Sequence, residues 1–402
     1  MSLAMLLPEL PRRRGDHLPP LDYPLIVAVA ALFSIGLVMV ASASMPVAER
    51  LDVSIFHFAV RQSFYLAIGL GLGLLVLRIQ MAWWEKGSLL CILLAILMLA
   101  LVLVPGVGVE VNGSTRWINL GIFRLQVSEP AKLLAIIYMA GYLVRRGDEV
   151  RNTGAGFMKP LGLLLVAAGL LLLEPDFGAT VVLMTTALVM MFMAGVSLWK
   201  FGGLIALAGG AFATLAITSP YRLSRLTAFI DPWNDPFNTD FQLTQSLIAI
   251  GRGEWFGVGL GASVQKLFYL PEAHTDFVFA VFAEEMGLFG IMVLLGLYAF
   301  VVFRAYSIAA TAEQGGNLFA AYLSYGIGTW LGMQAIINVG VNTGLLPTKG
   351  LTLPLMSYGG SSMLLSCVAI ALLLRIDYET RCTVNGLPAS GSEASKRRRR
   401  TR

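Results

Sequence analysis

Apolar residues in this chain gather into long runs broken by short polar stretches. The runs are Leu25–Ser44, Phe58–Leu77, Leu89–Val104, Ala131–Val144, Leu161–Leu173, Ala179–Val196, Phe201–Thr218, Met286–Phe303, Leu318–Val341 and Met363–Arg375. Runs near the ~20 residues that carry a helix across the hydrocarbon layer predict transmembrane helices. The pattern therefore predicts an all-α polytopic membrane protein of about ten transmembrane helices, its connections alternating between the two sides. Three regions follow: a cytoplasmic segment over 1–24, a transmembrane domain over 25–376, and a disordered basic tail over 377–402.

Composition agrees with this reading. Of 402 residues, 57% are hydrophobic and 13% charged, whereas a soluble domain carries roughly 25% charged residues. The net charge of +5 comes from the C-terminus, where Lys396, Arg397, Arg398, Arg399, Arg400 and Arg402 contribute six positive charges. Such a run attracts anionic membrane lipid or is simply a solvated tail. Nothing in the charge pattern calls for nucleic acid. Basic residues also set orientation. With both ends cytoplasmic, 19 Lys and Arg lie inside and 9 outside, with Lys132 within a span. Arg12, Arg13 and Arg14 precede the first run without a small-residue cleavage pattern, so no cleaved leader is expected. Cys91, Cys367 and Cys382 read as free thiols.

The long connection over 219–285 stands apart as the outer loop most suited to function. Within it, Phe241–Ile250 has amphipathic spacing, with Gln242, Gln245 and Ser246 on one face and Leu243, Leu247 and Ile250 on another. A helix of that kind can lie along a membrane surface. The glycine run from Gly257 to Gly261 is no nucleotide fingerprint, because it follows no strand of a βαβ unit. The absence of a P-loop weighs against an ATP-driven pump.

Four short stretches hold candidate chemistry. Asp276, in Pro271-Glu272-Ala273-His274-Thr275-Asp276-Phe277, reads equally as a helix N-cap or as a working carboxylate at the outer membrane boundary. His274 beside it suggests a metal pair only weakly, for want of a third ligand. Glu129 and Lys132 are three residues apart and meet on one helix face, which favours a structural ion pair. Arg116, next to Trp117, offers a fork of donors suited to phosphate or an anchor at headgroup level. Lys349 is a second outer cation. Asp176, in Glu174-Pro175-Asp176-Phe177-Gly178, reads as the cap of the sixth helix.

Together these stretches resemble the SEDS family of multi-spanning peptidoglycan polymerases. The matching segments are NGSTRWINLG (112–121), SEPAK (128–132), EPDFG (174–178), YLPEAHTDFVFAVFAEEMG (269–287) and NTGLLPTKGLTLPLMSYGGSS (342–362). The TKGLTLP segment is similar to the cell-division (FtsW) branch. Glu174 departs from the pattern, since the family more often has Gln there.

The resemblance implies a glycosyltransferase at the outer face of the cytoplasmic (cell inner) membrane, at the division septum. It polymerises lipid II, with Asp276 as the essential carboxylate and undecaprenyl pyrophosphate leaving. A general base suits the poorly nucleophilic sugar hydroxyl. A diphosphate leaving group needs charge neutralisation rather than a second acid, and Arg116 and Lys349, or a divalent cation, would supply it. No cofactor is obligatory. Gln242, Gln245 and His274 are candidate substrate contacts. The resemblance also implies a class B penicillin-binding protein as transpeptidase partner, among other division proteins. A lipid II flippase suits the same helices and the Glu129–Lys132 pair, and a non-catalytic scaffold is the third reading.

Overall fold

The computed structural model describes residues 21–111, 114–119, 121, 124–197, 199–203, 233, 241–267, 270, 272–347 and 350–384. Its helices are α1 (Tyr23–Arg50), α2 (His57–Val76), α3 (Met81–Lys86), α4 (Ser88–Val102), α5 (Ser128–Asn152), α6 (Gly154–Leu173) and α7 (Phe177–Met193). Beyond these lie α8 (Phe241–Arg252), α9 (Val278–Gln314), α10 (Leu318–Asn342) and α11 (Gly360–Val384). Nine of the ten expected spans coincide with helices among the described residues. The seventh, Phe201–Thr218, lies outside them beyond Gly203.

Among the described residues, five helices are long and apolar enough to cross a membrane: α1, α2, α6, α9 and α11. The shorter α4 and α7 are also apolar. In lipid, helices are held by close packing rather than by the hydrophobic effect, which favours small residues at their seams. A Cβ on Gly69 of α2 would stand 2.8 Å from the Cys367 sulfur, and one on Gly73 would stand 3.4 Å from Ala371. These two glycines, one turn apart, seat α2 directly on α11. All three cysteines are free.

The outer segment between α4 and α5 is not plain loop. It forms a three-stranded antiparallel sheet of β1 (Gly108–Val111), β2 (Ser114–Asn119) and β3 (Arg124–Gln126). The chain is otherwise helical, as expected, and this small sheet adds to that reading, because strands this short are set by pairing and carry little periodic signal of their own. Trp117 pairs with Gln126, and Asn119 with Arg124. Side chains alternate across a sheet, so these four residues share one face.

The loop that was expected to run to Glu285 ends earlier, and the eighth span starts before Met286. Helix α9 begins at Val278 and covers 37 residues, roughly 55 Å at 1.5 Å per residue. It is broken at Gly287 (φ 65°, ψ −169°), a backbone state open to glycine. Freed backbone groups within a membrane protein must be satisfied elsewhere, and here residues 254–259 do so. Val258 and Gly259 donate to the Glu284 and Glu285 carbonyls, while Leu288 and Phe289 donate to those of Glu254 and Trp255.

Two buried carboxylates lock this junction. Glu284 accepts from Ser263 Oγ and the Val264 amide. Glu285 pairs with Lys266 at 2.7 Å and accepts from Ser42 of α1. The first turns of α9 are thereby fixed in the core.

Helix α8 docks on the bundle rather than presenting an apolar face to lipid. Leu243, Thr244, Ser246 and Ala249 are buried, and Ser246 Oγ donates to the Asn342 carbonyl. Helix α11 runs on to Val384, so the stretch expected to be disordered tail is helical through its first eight residues. Cys382 is buried there.

Candidate active site

Asp276 leaves a tight turn just ahead of α9. Glu272 takes a left-handed backbone (φ 56°), and its carbonyl accepts from the Thr275 and Phe277 amides. The position before the helix is Phe277, with no side-chain cap, so the N-cap reading of Asp276 does not hold. The Asp276 carbonyl instead accepts from Asn338 Nδ2 at 2.9 Å and Asn342 Nδ2 at 3.1 Å. Asn338 also donates to the Leu351 carbonyl at 2.6 Å. Two amides one turn apart on α10 thus hold the Asp276 turn and the 350–352 strand of loop together.

The Asp276 carboxylate, which has no hydrogen-bond partner among the described residues, lines a cavity of about 790 Å³. That volume lies within the range of small-molecule sites, about 300–1,000 Å³. The sheet covers it: Trp117, Asn119, Arg124 and Gln126, the four residues sharing a face, all line it. Helix α2 contributes Arg61 and Tyr65, and the start of α11 contributes Gly360, Ser361 and Ser362.

Burial pushes Asp276 up to about 7, Glu272 and Asp176 add to the rise, and Arg116 opposes it. Behind it, burial and Asp176 raise Glu174 to about 8, again against Arg116. Both Glu174 carboxyl oxygens are buried without a partner among the described residues. A carboxylate whose charged form is disfavoured by burial is a stronger base than an exposed one, and such groups gather at functional sites.

A family model described as "cell cycle protein" and covering FtsW, RodA and SpoVE matches residues 23–382. The chain belongs to that FtsW/RodA/SpoVE family. A relative from Thioalkalivibrio sulfidiphilus (strain HL-EbGR7), named "Probable peptidoglycan glycosyltransferase FtsW", is 61% identical over 360 residues, 90% of each chain. A relative of the same name from Nitrosococcus halophilus (strain Nc4) is 54% identical over 91% of this chain and 95% of its own. Among solved structures, a peptidoglycan synthase complex that coordinates polymerization and crosslinking matches with TM-score 0.73 and 30% identity. It covers 90% of this chain and 98% of the other. The rod shape determining protein RodA of Thermus thermophilus matches with TM-score 0.65 and 30% identity, covering 89% and 96%. Like the family, the chain is a multi-pass membrane protein.

In this FtsW/RodA/SpoVE member the residues singled out from the sequence are only partly gathered. Asp276, His274, Arg116 and Glu129 line the cavity. Arg116 is committed to structure: its Nε and Nη2 donate to the Glu174 and Pro175 carbonyls at 2.9 and 2.7 Å. It fastens the sheet to the turn between α6 and α7. Asp176 caps α7 by accepting from the Ala179 amide at 3.0 Å. His274 sits between Phe58 and Tyr358, ring centroids 4.9 and 5.5 Å away, and burial lowers its basicity.

Glu129 and Lys132 pair at 2.8 Å, and Lys132 also donates to Gln334 Oε1. Gln242 is exposed and Gln245 half-buried on α8, and neither lines the cavity. Lys349 lies outside the described residues. Missed from the sequence were Asn338 and Asn342, although Gln334, Asn338 and Asn342 repeat every four residues along an apolar helix. Arg61 and Arg124 were likewise passed over as ordinary outer cations.

Gly350 touches the carboxylate directly. A Cβ there would stand 2.8 Å from Asp276 Oδ2, closer than van der Waals contact allows. Gly350→Ala is expected to displace the carboxylate and lower turnover about tenfold or more, a misplacement effect, while the thermal unfolding midpoint changes little. Unchanged turnover in the alanine variant would mean that the carboxylate position is not critical.

Proposed function

We propose that this protein is a peptidoglycan glycosyltransferase that polymerises lipid II at the outer face of the cytoplasmic membrane during septal wall synthesis, with Asp276 as general base. The 4-hydroxyl oxygen of one sugar forms a bond to the anomeric carbon of the next. The bond from that carbon to the phosphate oxygen breaks, and its electron pair leaves with the lipid diphosphate. Asp276 takes the hydroxyl proton. The single observation that carries this reading is a carboxylate, without a hydrogen-bond partner among the described residues, lining a cavity roofed by the outer sheet.

Glycosidases pair two carboxyl groups because a sugar leaving group needs a proton. A diphosphate needs none, so one base and nearby cations suffice. A divalent cation would enter with the diphosphate, since among the described residues no three His, Cys, Asp or Glu side chains converge. The likeness to a complex that coordinates polymerization and crosslinking supports a cross-linking partner, a class B penicillin-binding protein.

Purified protein given lipid II in detergent should yield glycan, which a flippase or a scaffold would not. The pH profile offers a second test. A base works when ionised, so with Asp276 near 7 the rate should climb through neutrality and fall about tenfold per pH unit well below it. A flat profile between pH 5 and 8, with substrate binding constant, would remove Asp276 from the proton transfer.

A further inference from the structure

The segment between α10 and α11 is more than a connection across the outer rim. Residues 350–352 and 358–362 line the cavity, and residues 353–357 between them are buried. This tip lies deep. Met356 packs against the middle of α1, where a Cβ on Gly36 would stand 2.7 Å from the Met356 Cα. From α9 the Tyr298 hydroxyl donates to the Pro354 carbonyl. Tyr298 stands about 30 Å along that helix from its start, at 1.5 Å per residue. The chain therefore enters from the outer end, reaches the middle of the bundle and returns.

Irregular backbone at such depth has to be satisfied by protein. Within the tip, the Leu353 amide donates to Ser357 Oγ at 2.8 Å, and the Ser357 amide donates to the Leu353 carbonyl at 3.0 Å. The outward carbonyls are taken by side chains. Asn338 and Gln334 of α10 donate to those of Leu351 and Thr352, and Gln62 of α2 donates to that of Ser357. Leu355, 2% exposed, has a left-handed backbone (φ 65°). A bulky residue in that region is strained and persists where its surroundings over-determine it, as they do at functional sites. From this tip back to the carboxylate is a short run: Gly350 meets Asp276, and Pro354 follows within about 14 Å of extended chain.

We propose that Tyr298 is a positioning residue for the transfer, its hold on the tip of this re-entrant loop setting the height at which Gly350 meets the Asp276 carboxylate. The proposal rests on Asp276 as general base. Tyr298 does not line the cavity, so it acts through the loop. Loss of its hydroxyl frees the Pro354 carbonyl in the bundle interior, and the loop resettles to find another donor. Burial is the chief cause that lifts Asp276 to about 7. A wall that settles away from the acid lets it ionise at lower pH. The other groups acting on Asp276 lie elsewhere: Glu272 on its own turn, Asp176 ahead of α7 and Arg116 on β2. His274 and Glu129 line the same cavity, and the substitution touches none of the five.

The test follows glycan synthesis from lipid II by the purified full-length protein in detergent between pH 5 and 9. Tyr298→Phe should lower kcat about tenfold, the scale of a misplaced catalytic group, with little change in KM. The ascending limb of its pH profile should move about half a unit toward lower pH. Tyr306→Phe removes the same hydroxyl from the same helix, where it bonds Thr329 instead, and should keep the parental kcat and limb. Ser357→Ala opens the tip from within and should reproduce the shifted limb. An unmoved limb in Tyr298→Phe, folded by its unfolding midpoint, would overturn the proposal, as would an equal shift in Tyr306→Phe. Should Tyr298→Phe fail to fold, the limb in Ser357→Ala decides in the same way. Failure of the polymerase reading would appear separately, as glycan synthesis surviving in Asp276→Asn or as a parent profile with no ascending limb.

Discussion

Asp276→Asn should abolish glycan synthesis by the purified protein, lowering the rate about 10²–10⁴-fold, the usual contribution of a general base. The substitution keeps the shape of the side chain and removes only its capacity to take a proton. Its structural consequences should be small. The turn is held through the Asp276 carbonyl by Asn338 and Asn342, a contact that asparagine retains. The carboxylate oxygens have no described partner to lose. Burial disfavours the ionised acid, so the neutral amide should unfold at the parent temperature or slightly above it. Glycan formation at parental rate by this folded variant would end the general-base assignment. A fall in both rate and unfolding temperature would point instead to a structural role, and the two measurements together separate these outcomes.

The second large effect is on stability. Lys132→Met should destabilise the fold by about 3–5 kcal/mol, the penalty for breaking one side of a buried ion pair. Lys132 is 1% exposed and Glu129 3%, so the methionine variant would strand a carboxylate in a protein interior. It would also release Gln334, whose Oε1 accepts from both Lys132 and Trp330 and whose amide reaches the Thr352 carbonyl at 3.0 Å. The pairing of Glu129→Gln with Lys132→Met gives the decisive comparison. Neutral replacement of both partners is often harmless to stability, so the double variant should regain most of the lost unfolding temperature. Because Glu129 also lines the cavity, turnover in the double variant then reports whether that carboxylate does more than hold α5 in place. Equal stability of the single and double variants would mean that the pair is not coupled.

The cap at Asp176 and the contact between Glu129 and Lys132 were legible in the sequence because both are local. Each depends on a spacing of three residues at a helix start, where geometry is set by the helix itself. Asp276 was visible as an acid ahead of an apolar run, yet cap and catalyst looked alike until the turn was seen to begin at Glu272 and the helix after Phe277. The outer sheet escaped notice because three strands of four, six and three residues are too short to show a period. Gln242 and Gln245 were drawn into the site by the amphipathic spacing of α8, but that helix instead buries Leu243 and Ser246, with Ser246 donating to the Asn342 carbonyl of α10.

From the chain alone follow the membrane class, the placement of nearly every helix and the family, since hydrocarbon requires long apolar runs and a helix satisfies its backbone within one segment. Which charged residues meet is another matter. Arg61, Arg124 and the start of α11 are separated by more than two hundred residues in places and come together only through packing at glycine seams and single hydrogen bonds such as Gln62 to Ser357. Arg116 turned out to be a fastening rather than a ligand for the same reason: its partners, the carbonyls of Glu174 and Pro175, are backbone atoms that every sequence possesses, and only the tertiary fold decides which of them a side chain reaches.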